Sequence, residues 1–187
     1  MSTPAEPDFV IVTERTLIVP TPTAALERSA MLEEFDFDLR LESGVVPVRV
    51  SAGWPGDGLE GLPDVLALRH RGELEPWNAM VIDRVDLEAV GQIGCTALPD
   101  ADGLVEVRYA TLPAWRDRGY ATEAGGAFVD WLLRRPGVQA VVAQCLVTNA
   151  PSVRVLEKTG FEVLEEREDE EGRLLRWIKR RPAAPEA

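Results

Sequence analysis

Residues 104–147 change from strand-like to helix-like periodicity and back, and this change restricts the fold more than any other feature. Residues 104–112 predict a strand. Residues 119–134 predict a helix with one apolar stripe, made of Ala121, Ala124, Phe128 and Trp131/Leu132. Residues 138–147 are almost continuously apolar, as in a strand covered on both faces. Strand, helix and strand in this order form a crossover unit, so we expect two parallel strands with a right-handed connection.

The other elements are predicted from shorter patterns. Strands are expected at Thr16–Val19, Trp77–Ile82, Glu88–Thr96, Phe161–Glu166 and Leu174–Lys179, with Val45–Val50 a weaker candidate, and helices at 23–34, about 63–71 and 150–159. The rest of residues 35–62 has no clear pattern. Together these elements indicate an α/β (α+β) fold: one domain over residues 9–180, with tails at 1–8 and 181–187.

Composition excludes several classes of protein. Apolar residues make up 45% of the 187 residues, enough for one core. Lys and Arg number 20 against 32 Asp and Glu, and the net charge of −12 argues against binding nucleic acid or an anionic membrane. Two cysteines and one histidine predict neither a disulfide framework nor a metal site. No signal sequence or membrane-length apolar run is found, so we expect a soluble cytoplasmic protein.

The loop before the predicted helix 119–134 could bind phosphate. Small residues, Gly119 and Ala121, let an anion approach the backbone closely. The N–H groups of a first helical turn lack intrahelical acceptors and carry a partial positive charge. Arg116 and Arg118 add positive charge in an otherwise acidic chain. These residues predict a diphosphate cradle; the alternative is an ordinary strand-to-helix turn with solvated arginines.

Two segments carry a family resemblance. Leu112-Pro113-x-x-Arg116-x-x-Gly119-Tyr120-Ala121-Thr122-Glu123-Ala124 resembles the acyl-CoA pyrophosphate loop of the GNAT superfamily of N-acetyltransferases. Asn149-x-x-Ser152-x-x-Val155-Leu156-Glu157-Lys158-x-Gly160-Phe161 resembles the second signature of that family. The resemblance is nearest to the Rim-type branch, which includes acetyltransferases of ribosomal-protein N-termini. It spans about 13–180, is specific over 104–161 and is loose over 21–75.

The resemblance implies a fold and an activity. The fold is a mixed, mostly antiparallel sheet with helices on both faces and a split between two central parallel strands, here 104–112 and 138–147. Acetyl-CoA would lie in the split and be the cosubstrate, with no metal. The activity would be transfer of an acetyl group to a primary amine, on a protein N-terminus or a small molecule, by direct attack in a ternary complex.

The resemblance also assigns cofactor-binding residues. It assigns the pantetheine and thioester to the backbone of Ala110, Thr111 and Leu112. It assigns the pyrophosphate to Arg116, Asp117, Arg118, Gly119, Tyr120, Ala121 and Thr122. It assigns the pantetheine arm to Asn149.

The chemistry requires a base, because an amine attacks only when neutral. Glu106 is our candidate: strand alternation puts Val105 and Val107 on one face and Glu106 on the other, toward substrate or solvent. The alternative is a structural ion pair between Glu106 and Arg108. The charge that develops on the carbonyl oxygen needs a hydrogen-bond donor, which we expect to be a backbone N–H near Leu112.

The leaving thiolate needs a proton donor. Many family members have a tyrosine where this chain has Leu156, and Rim-type members suggest Ser152 as the substitute. The alternative for Ser152 is an ordinary serine of a first helical turn. The missing tyrosine also keeps open a non-catalytic module that binds acyl-CoA and serves in regulation or as a partner subunit.

Trp54 precedes a glycine-rich loop, Gly56-x-Gly58-x-x-Gly61. Pro55 and Pro63 flank this loop and argue against a nucleotide-binding turn, so a substrate-side loop is the better interpretation. Trp54 could line the acceptor pocket or cap the core. The acidic run Glu165–Glu171 is interpreted as a solvated hairpin tip, with recruitment of a cationic acceptor as the alternative. The acceptor, the preferred acyl chain and the formation of a homodimer remain open.

Overall fold

The computed structural model describes residues 9–57, 62–71, 77–169 and 172–182. The elements are β1 (Ile11–Val12), β2 (Thr16–Pro20), α1 (Thr23–Ala30), β3 (Phe35–Leu41), β4 (Gly44–Val50), α2 (Leu62–His70), β5 (Asn78–Asp83), β6 (Ala89–Cys95), β7 (Leu104–Thr111), α3 (Tyr120–Leu133), β8 (Ala140–Leu146), α4 (Ala150–Lys158), β9 (Glu162–Asp169) and β10 (Gly172–Arg180). No described helix is both long and apolar enough to cross a bilayer.

Eight strands form one sheet in the order β1-β2-β5-β6-β7-β8-β10-β9, and β3 and β4 form a separate hairpin. All neighbours in the large sheet are antiparallel except β7 and β8, which are parallel. The predicted mixed, mostly antiparallel sheet is therefore confirmed, and so is the parallel pair joined through a helix.

The sheet has an apolar layer on each face. Because successive side chains of a strand point to opposite faces, Ile18 belongs to one buried cluster and Leu17 and Val19 to the other. The first cluster contains Phe128 and other side chains of α3. The second contains side chains of α1, β3 and β4, with Leu62 at the start of α2. The predicted placement of helices on both faces is confirmed.

The two parallel strands separate after a short paired stretch. β7 and β8 are in register only over Leu104–Glu106 and Ala140–Val142. Beyond this point, among the described strands, β7 pairs only with β6, and β8 only with β10. The predicted split is thus present, and it leaves ladder N–H and C=O groups of both strands without a partner strand. A groove with free backbone groups opens at the carboxyl ends of the strands.

The predicted elements differ from the observed ones at their ends, in the short β1 (Ile11–Val12), which was not predicted, and in residues 35–62. β3 was not predicted, although Phe35, Phe37, Leu39 and Leu41 alternate with polar residues; it pairs with β4, the weaker candidate. Residues 1–8 and 183–187 of the predicted tails lie outside the described residues, as do residues 170–171 of the acidic run. The domain boundaries therefore stay a prediction.

Candidate active site

The N-terminus of α3 presents unpaired N–H groups. Gly119 precedes the helix with φ at 84°, a left-handed conformation that favours glycine, and no side chain caps the helix. Within the described part of the chain, the N–H groups of Tyr120, Ala121 and Thr122 have no acceptor, whereas the next one, of Glu123, bonds to the Gly119 carbonyl. Three free donors and the positive end of the helix dipole favour an anion here.

A cavity of about 340 Å³ lies in front of this helix end. Its walls contain most of the predicted cofactor-binding residues: Ala110, Thr111, Arg116, Asp117, Gly119, Tyr120, Ala121, Thr122, Asn149 and Ser152. They come from the end of β7, the loop before α3, and the start of α4. The fold therefore gathers residues that are up to 42 positions apart in the chain, from Ala110 to Ser152, around one space.

Arg116 is held at the mouth of this cavity. Its Nε donates to the Thr111 carbonyl at 3.0 Å, and its Nη2 lies 2.9 Å from Asp57 Oδ2. The first contact fixes the guanidinium beside the end of β7. Asp57 is the counter-ion of Arg116 and lines the cavity, and the sequence did not predict this residue.

Glu123 in the first turn of α3 bonds to the turn between β1 and β2. Its Oε1 accepts from Thr13 Oγ1 at 2.6 Å and from the Arg15 N–H at 2.7 Å, and its Oε2 accepts from Arg15 Nε at 2.7 Å. Burial alone would raise the pKa of Glu123, but these hydrogen bonds and the Arg15 charge lower it. Arg15 Nη1 in turn donates to the Arg118 carbonyl at 2.8 Å. These contacts hold the loop before α3 in place.

Tyr120 makes a second contact that holds the start of α3. Its hydroxyl donates to Oδ2 of the buried Asp83 at 2.6 Å, while Asp83 Oδ1 accepts from the N–H groups of Val85 and Asp86. Burial would raise the pKa of Asp83, yet these three hydrogen bonds and the charge of Arg15 lower it. Burial and the bond to Asp83 raise the pKa of Tyr120 to about 12. Tyr120 thus stays a neutral donor that anchors the first residue of α3.

Leu112 and Arg118 differ from the other predicted cofactor-binding residues, because neither lines the cavity in front of α3. The Leu112 N–H donates to the Val90 carbonyl at 2.9 Å and the Leu112 carbonyl accepts from the Trp115 N–H at 2.8 Å, so both backbone groups are engaged within the protein. The Leu112 side chain is buried, and its own N–H is not the free donor expected near this residue. Arg118 does not line the cavity; its guanidinium lies 5.2 Å from the Trp115 ring centroid.

A second space lies beside the split and meets the first. This cleft of about 640 Å³ is bordered by Glu106 and Cys145, among others, and the two spaces share Tyr109, Asn149 and Ser152 as lining residues. The predicted alternation along β7 is confirmed, because Val105 and Val107 are buried. Glu106 Oε1 lies 3.8 Å from Nε of the exposed Arg108, so the alternative ion pair is long and loose. The Glu106 carboxylate borders this cleft and is absent from the lining of the first.

The start of α4 contributes to the junction. Asn149 Oδ1 accepts from the Ser152 N–H at 3.2 Å, which makes Asn149 the N-cap of α4, and its amide nitrogen has no partner among the described residues. Tyr109 Oη lies 3.5 Å from the Ser152 carbonyl, and burial raises the pKa of Tyr109 to about 12. Leu156 is buried in the core. Tyr109 packs against the core and also lines both spaces.

Trp54 does not line an open pocket. Its side chain is fully buried, and its Nε1 donates to the Gly91 carbonyl at 2.8 Å. The acceptor-pocket interpretation of Trp54 is therefore corrected in favour of the core. Gly91 itself is required, since a Cβ there would lie 2.3 Å from the Ala110 carbonyl oxygen. Trp54 thus supports β6, which in turn supports the end of β7.

Three or more His, Cys, Asp or Glu side chains do not come together at any metal-binding position within the described ranges. Cys145 is buried, and burial raises the pKa of its thiol. His70 lies on the surface, 2.9 Å from Glu27.

Comparison with known proteins gives a family. The model of the acetyltransferase (GNAT) domain matches residues 59–162, more than half of the chain. The Bacillus subtilis protein named uncharacterized N-acetyltransferase YjdG is 31% identical over 113 residues, which are 58% of this chain and 66% of that protein. The chain therefore spans just under two thirds of the length of that curated relative.

Solved structures share the fold. The ribosomal-protein-S5-alanine acetyltransferase of Vibrio fischeri has a TM-score of 0.66 at 14% identity, covering 93% of this chain and 97% of that chain. RimL, a ribosomal L7/L12 alpha-N-protein acetyltransferase in complex with coenzyme A, has a TM-score of 0.65 at 13% identity, covering 92% and 98%. Nothing in these comparisons favours the alternative of a non-catalytic module.

Proposed function

The chain belongs to the GNAT acetyltransferase family, and from this premise we propose that it transfers an acetyl group from acetyl-CoA to a primary amine by direct attack in a ternary complex. One observation carries the proposal. The cavity in front of α3 and the cleft beside the split share Tyr109, Asn149 and Ser152. A donor in the first space and an acceptor in the second would therefore meet at one place.

The residues present fit a CoA diphosphate. The free N–H groups of Tyr120, Ala121 and Thr122 provide three donors, and the positive end of the helix favours anionic oxygen. Arg116 lies beside them with its guanidinium oriented by the Thr111 carbonyl. The unpaired edge of β7 after Glu106 offers ladder groups to the amides of the pantetheine arm, as does the remaining amide nitrogen of Asn149.

Acetyl-CoA supplies an activated thioester to this site. Glu106 is proposed to accept the proton of the attacking amine, because its carboxylate borders the cleft in which the amine would lie. Ser152 is proposed to donate a hydrogen bond to the leaving sulfur, since it lies where the two spaces meet. With both Leu112 backbone groups engaged, the free edge of β7 before it is the better source of a donor for the carbonyl oxygen.

The acceptor class follows from the cleft and the relatives. The cleft admits solvent and contains the Glu106 carboxylate, so a cationic amine can approach before it loses its proton. Two structural neighbours are named as acetyltransferases of ribosomal proteins, which supports a protein N-terminus as the first acceptor to try. A small-molecule amine is the second. We propose a cytoplasmic location, which the two free, buried cysteines fit.

The proposal is tested by following release of free CoA thiol from acetyl-CoA. The acceptors are short peptides with free N-termini, the same peptides with blocked N-termini, and small polyamines. We expect thiol release that depends on a free amine and an acetylated product of the same amount. Tight CoA binding without turnover on any acceptor would overturn the proposal and favour a binding module.

A further inference from the structure

Two cations on α4 line the cofactor cavity without a partner. Arg154 and Lys158 are four residues apart, so their side chains share one face of the helix. Both border the cavity in front of α3, and neither makes a hydrogen bond or ion pair with another residue in the described ranges. Arg116, in the same cavity, is already paired with Asp57. In a chain of net charge −12, two unneutralised cations at one cavity indicate a further anionic group of the ligand.

The position of these cations along α4 indicates which part of a ligand they would meet. Ser152 lies at the junction with the acceptor cleft, and Lys158 is six residues further, about 9 Å along the helix axis. The end of α4 lies against the second turn of α3, since a Cβ on Gly126 would be 3.6 Å from Thr159 Cγ2. Neither cation lines the acceptor cleft, and Lys158 is displaced from the junction at Ser152 toward the part of the cavity that α3 borders.

Coenzyme A carries three phosphate groups, two in the diphosphate and one on the 3′ position of its ribose. The three free N–H groups of α3 and the oriented Arg116 account for the diphosphate. Resting on the proposed function, we infer that Arg154 and Lys158 bind the ribose 3′-phosphate and make the protein prefer CoA to dephospho-CoA. Arginine offers a planar pair of N–H donors to phosphate oxygens and lysine a mobile charge, and both suit a terminal phosphate in solvent.

The experiment compares CoA with dephospho-CoA, which lacks only the 3′-phosphate, by isothermal titration calorimetry at low salt. We expect the full-length protein to bind CoA about tenfold more tightly. Arg154→Ala/Lys158→Ala should reduce that ratio to about one, by weakening CoA and leaving dephospho-CoA within about twofold. Arg134→Ala is the matched control, because this exposed arginine lies at the far end of α3, about 21 Å from the cradle, and should keep the full ratio.

Three results would overturn the inference. The unaltered protein could bind both ligands equally, or the double variant could retain the full preference. The double variant could also weaken both ligands by the same factor, which would assign the two cations to the diphosphate. In each case the protein still binds CoA, so the proposed function stands. Absence of binding to either ligand would instead remove the proposed function, and the inference with it.

Discussion

The start of α3 with the cavity in front of it (the cofactor side) and the cleft beside the split (the acceptor side) are built differently. On the cofactor side, the start of α3 is tied by short hydrogen bonds from Glu123 to Thr13 and Arg15, and from Tyr120 to the buried Asp83. On the acceptor side, the one carboxylate that we assign a role, Glu106, has only a 3.8 Å contact with an exposed arginine. Preorganised groups bind a constant ligand well, whereas loosely held groups tolerate different partners. We therefore expect the proposed cofactor site to keep one geometry and the proposed amine site to adapt to different acceptors.

The largest expected effect separates chemistry from cofactor binding. Glu106→Gln should lower kcat by about a hundredfold, because the amine loses its proton acceptor, while the Kd for CoA stays unchanged. Steady-state rates across pH and calorimetry with CoA measure the two quantities. Glu157→Gln is the control, since Glu157 is exposed on α4 and borders neither space. An unchanged rate and pH profile in Glu106→Gln would eliminate Glu106 as the base.

The next effect tests the rigidity of the cofactor side. Glu123→Ala removes the acceptor of three hydrogen bonds and should lower the free energy of unfolding by about 2 kcal/mol. It should also weaken CoA binding by about tenfold, because the loop before α3 loses its tie to Arg15. Glu33→Ala is the control: Glu33 pairs with Arg28 at a similar 2.9 Å, but on the surface. Equal, small losses in the two variants would contradict a preorganised cradle.

The same carboxylate predicts a pH dependence. The folded pKa of Glu123 is below its usual value of 4.5, so its contribution to stability is present at neutral pH and is lost as pH falls through the folded pKa. The difference in unfolding free energy between the unaltered protein and Glu123→Gln should therefore be constant from pH 7 to about 5 and shrink below about 4.5. Urea denaturation at several pH values measures it. A difference that grows on acidification would show the opposite sign of the pKa shift.

A smaller effect is expected at the junction of the two sides. Ser152→Ala should lower kcat by about tenfold with little change in CoA binding, because the hydroxyl is proposed to act on the leaving sulfur only. Tyr109→Phe is the natural comparison, since Tyr109 lines the same junction and its hydroxyl lies 3.5 Å from the Ser152 carbonyl. If Ser152→Ala keeps full activity and Tyr109→Phe loses it, the donor is the tyrosine.

The smallest effect is expected at Asp57. Asp57→Asn frees Arg116 from an exposed ion pair and should tighten CoA binding by about twofold. Calorimetry at low and high salt would detect this, and the gain should vanish at high salt. Weaker binding would mean that Asp57 positions Arg116 rather than competing with phosphate.

The contrast between the two sides also explains what the sequence predicts well. The cradle comes from one continuous segment, so the glycine, the free first-turn N–H groups and the arginine are readable from local order. The Asn149 cap is local as well, since its acceptor and the Ser152 N–H are three residues apart. Hydrogen bonds between distant segments were not predicted: Leu112 to Val90 continues the pairing of β7 with β6, whereas Trp54 to Gly91 and Tyr120 to Asp83 depend on how a loop and a helix pack on the sheet. Because of these hydrogen bonds, Trp54 and Leu112 do not lie where the sequence predicted them.

The acceptor side could be predicted only in part, because its walls come from β7, β8, α4, β9 and β10. Alternation along β7 placed Glu106 on the correct face, but neither its distance from Arg108 nor its separation from the first cavity follows from strand periodicity. β3 was missed even though its alternating pattern is present, since residues 35–62 otherwise lack regular spacing.

The most direct measurement is an NMR titration of the isotopically labelled protein with coenzyme A, observing backbone amides. The account predicts the largest shift changes at the amides of residues 119–122, where free N–H groups would meet the diphosphate, with amides of Phe35–Leu41 unmoved. Saturable binding that leaves residues 119–122 unshifted, or no binding at all, would contradict it.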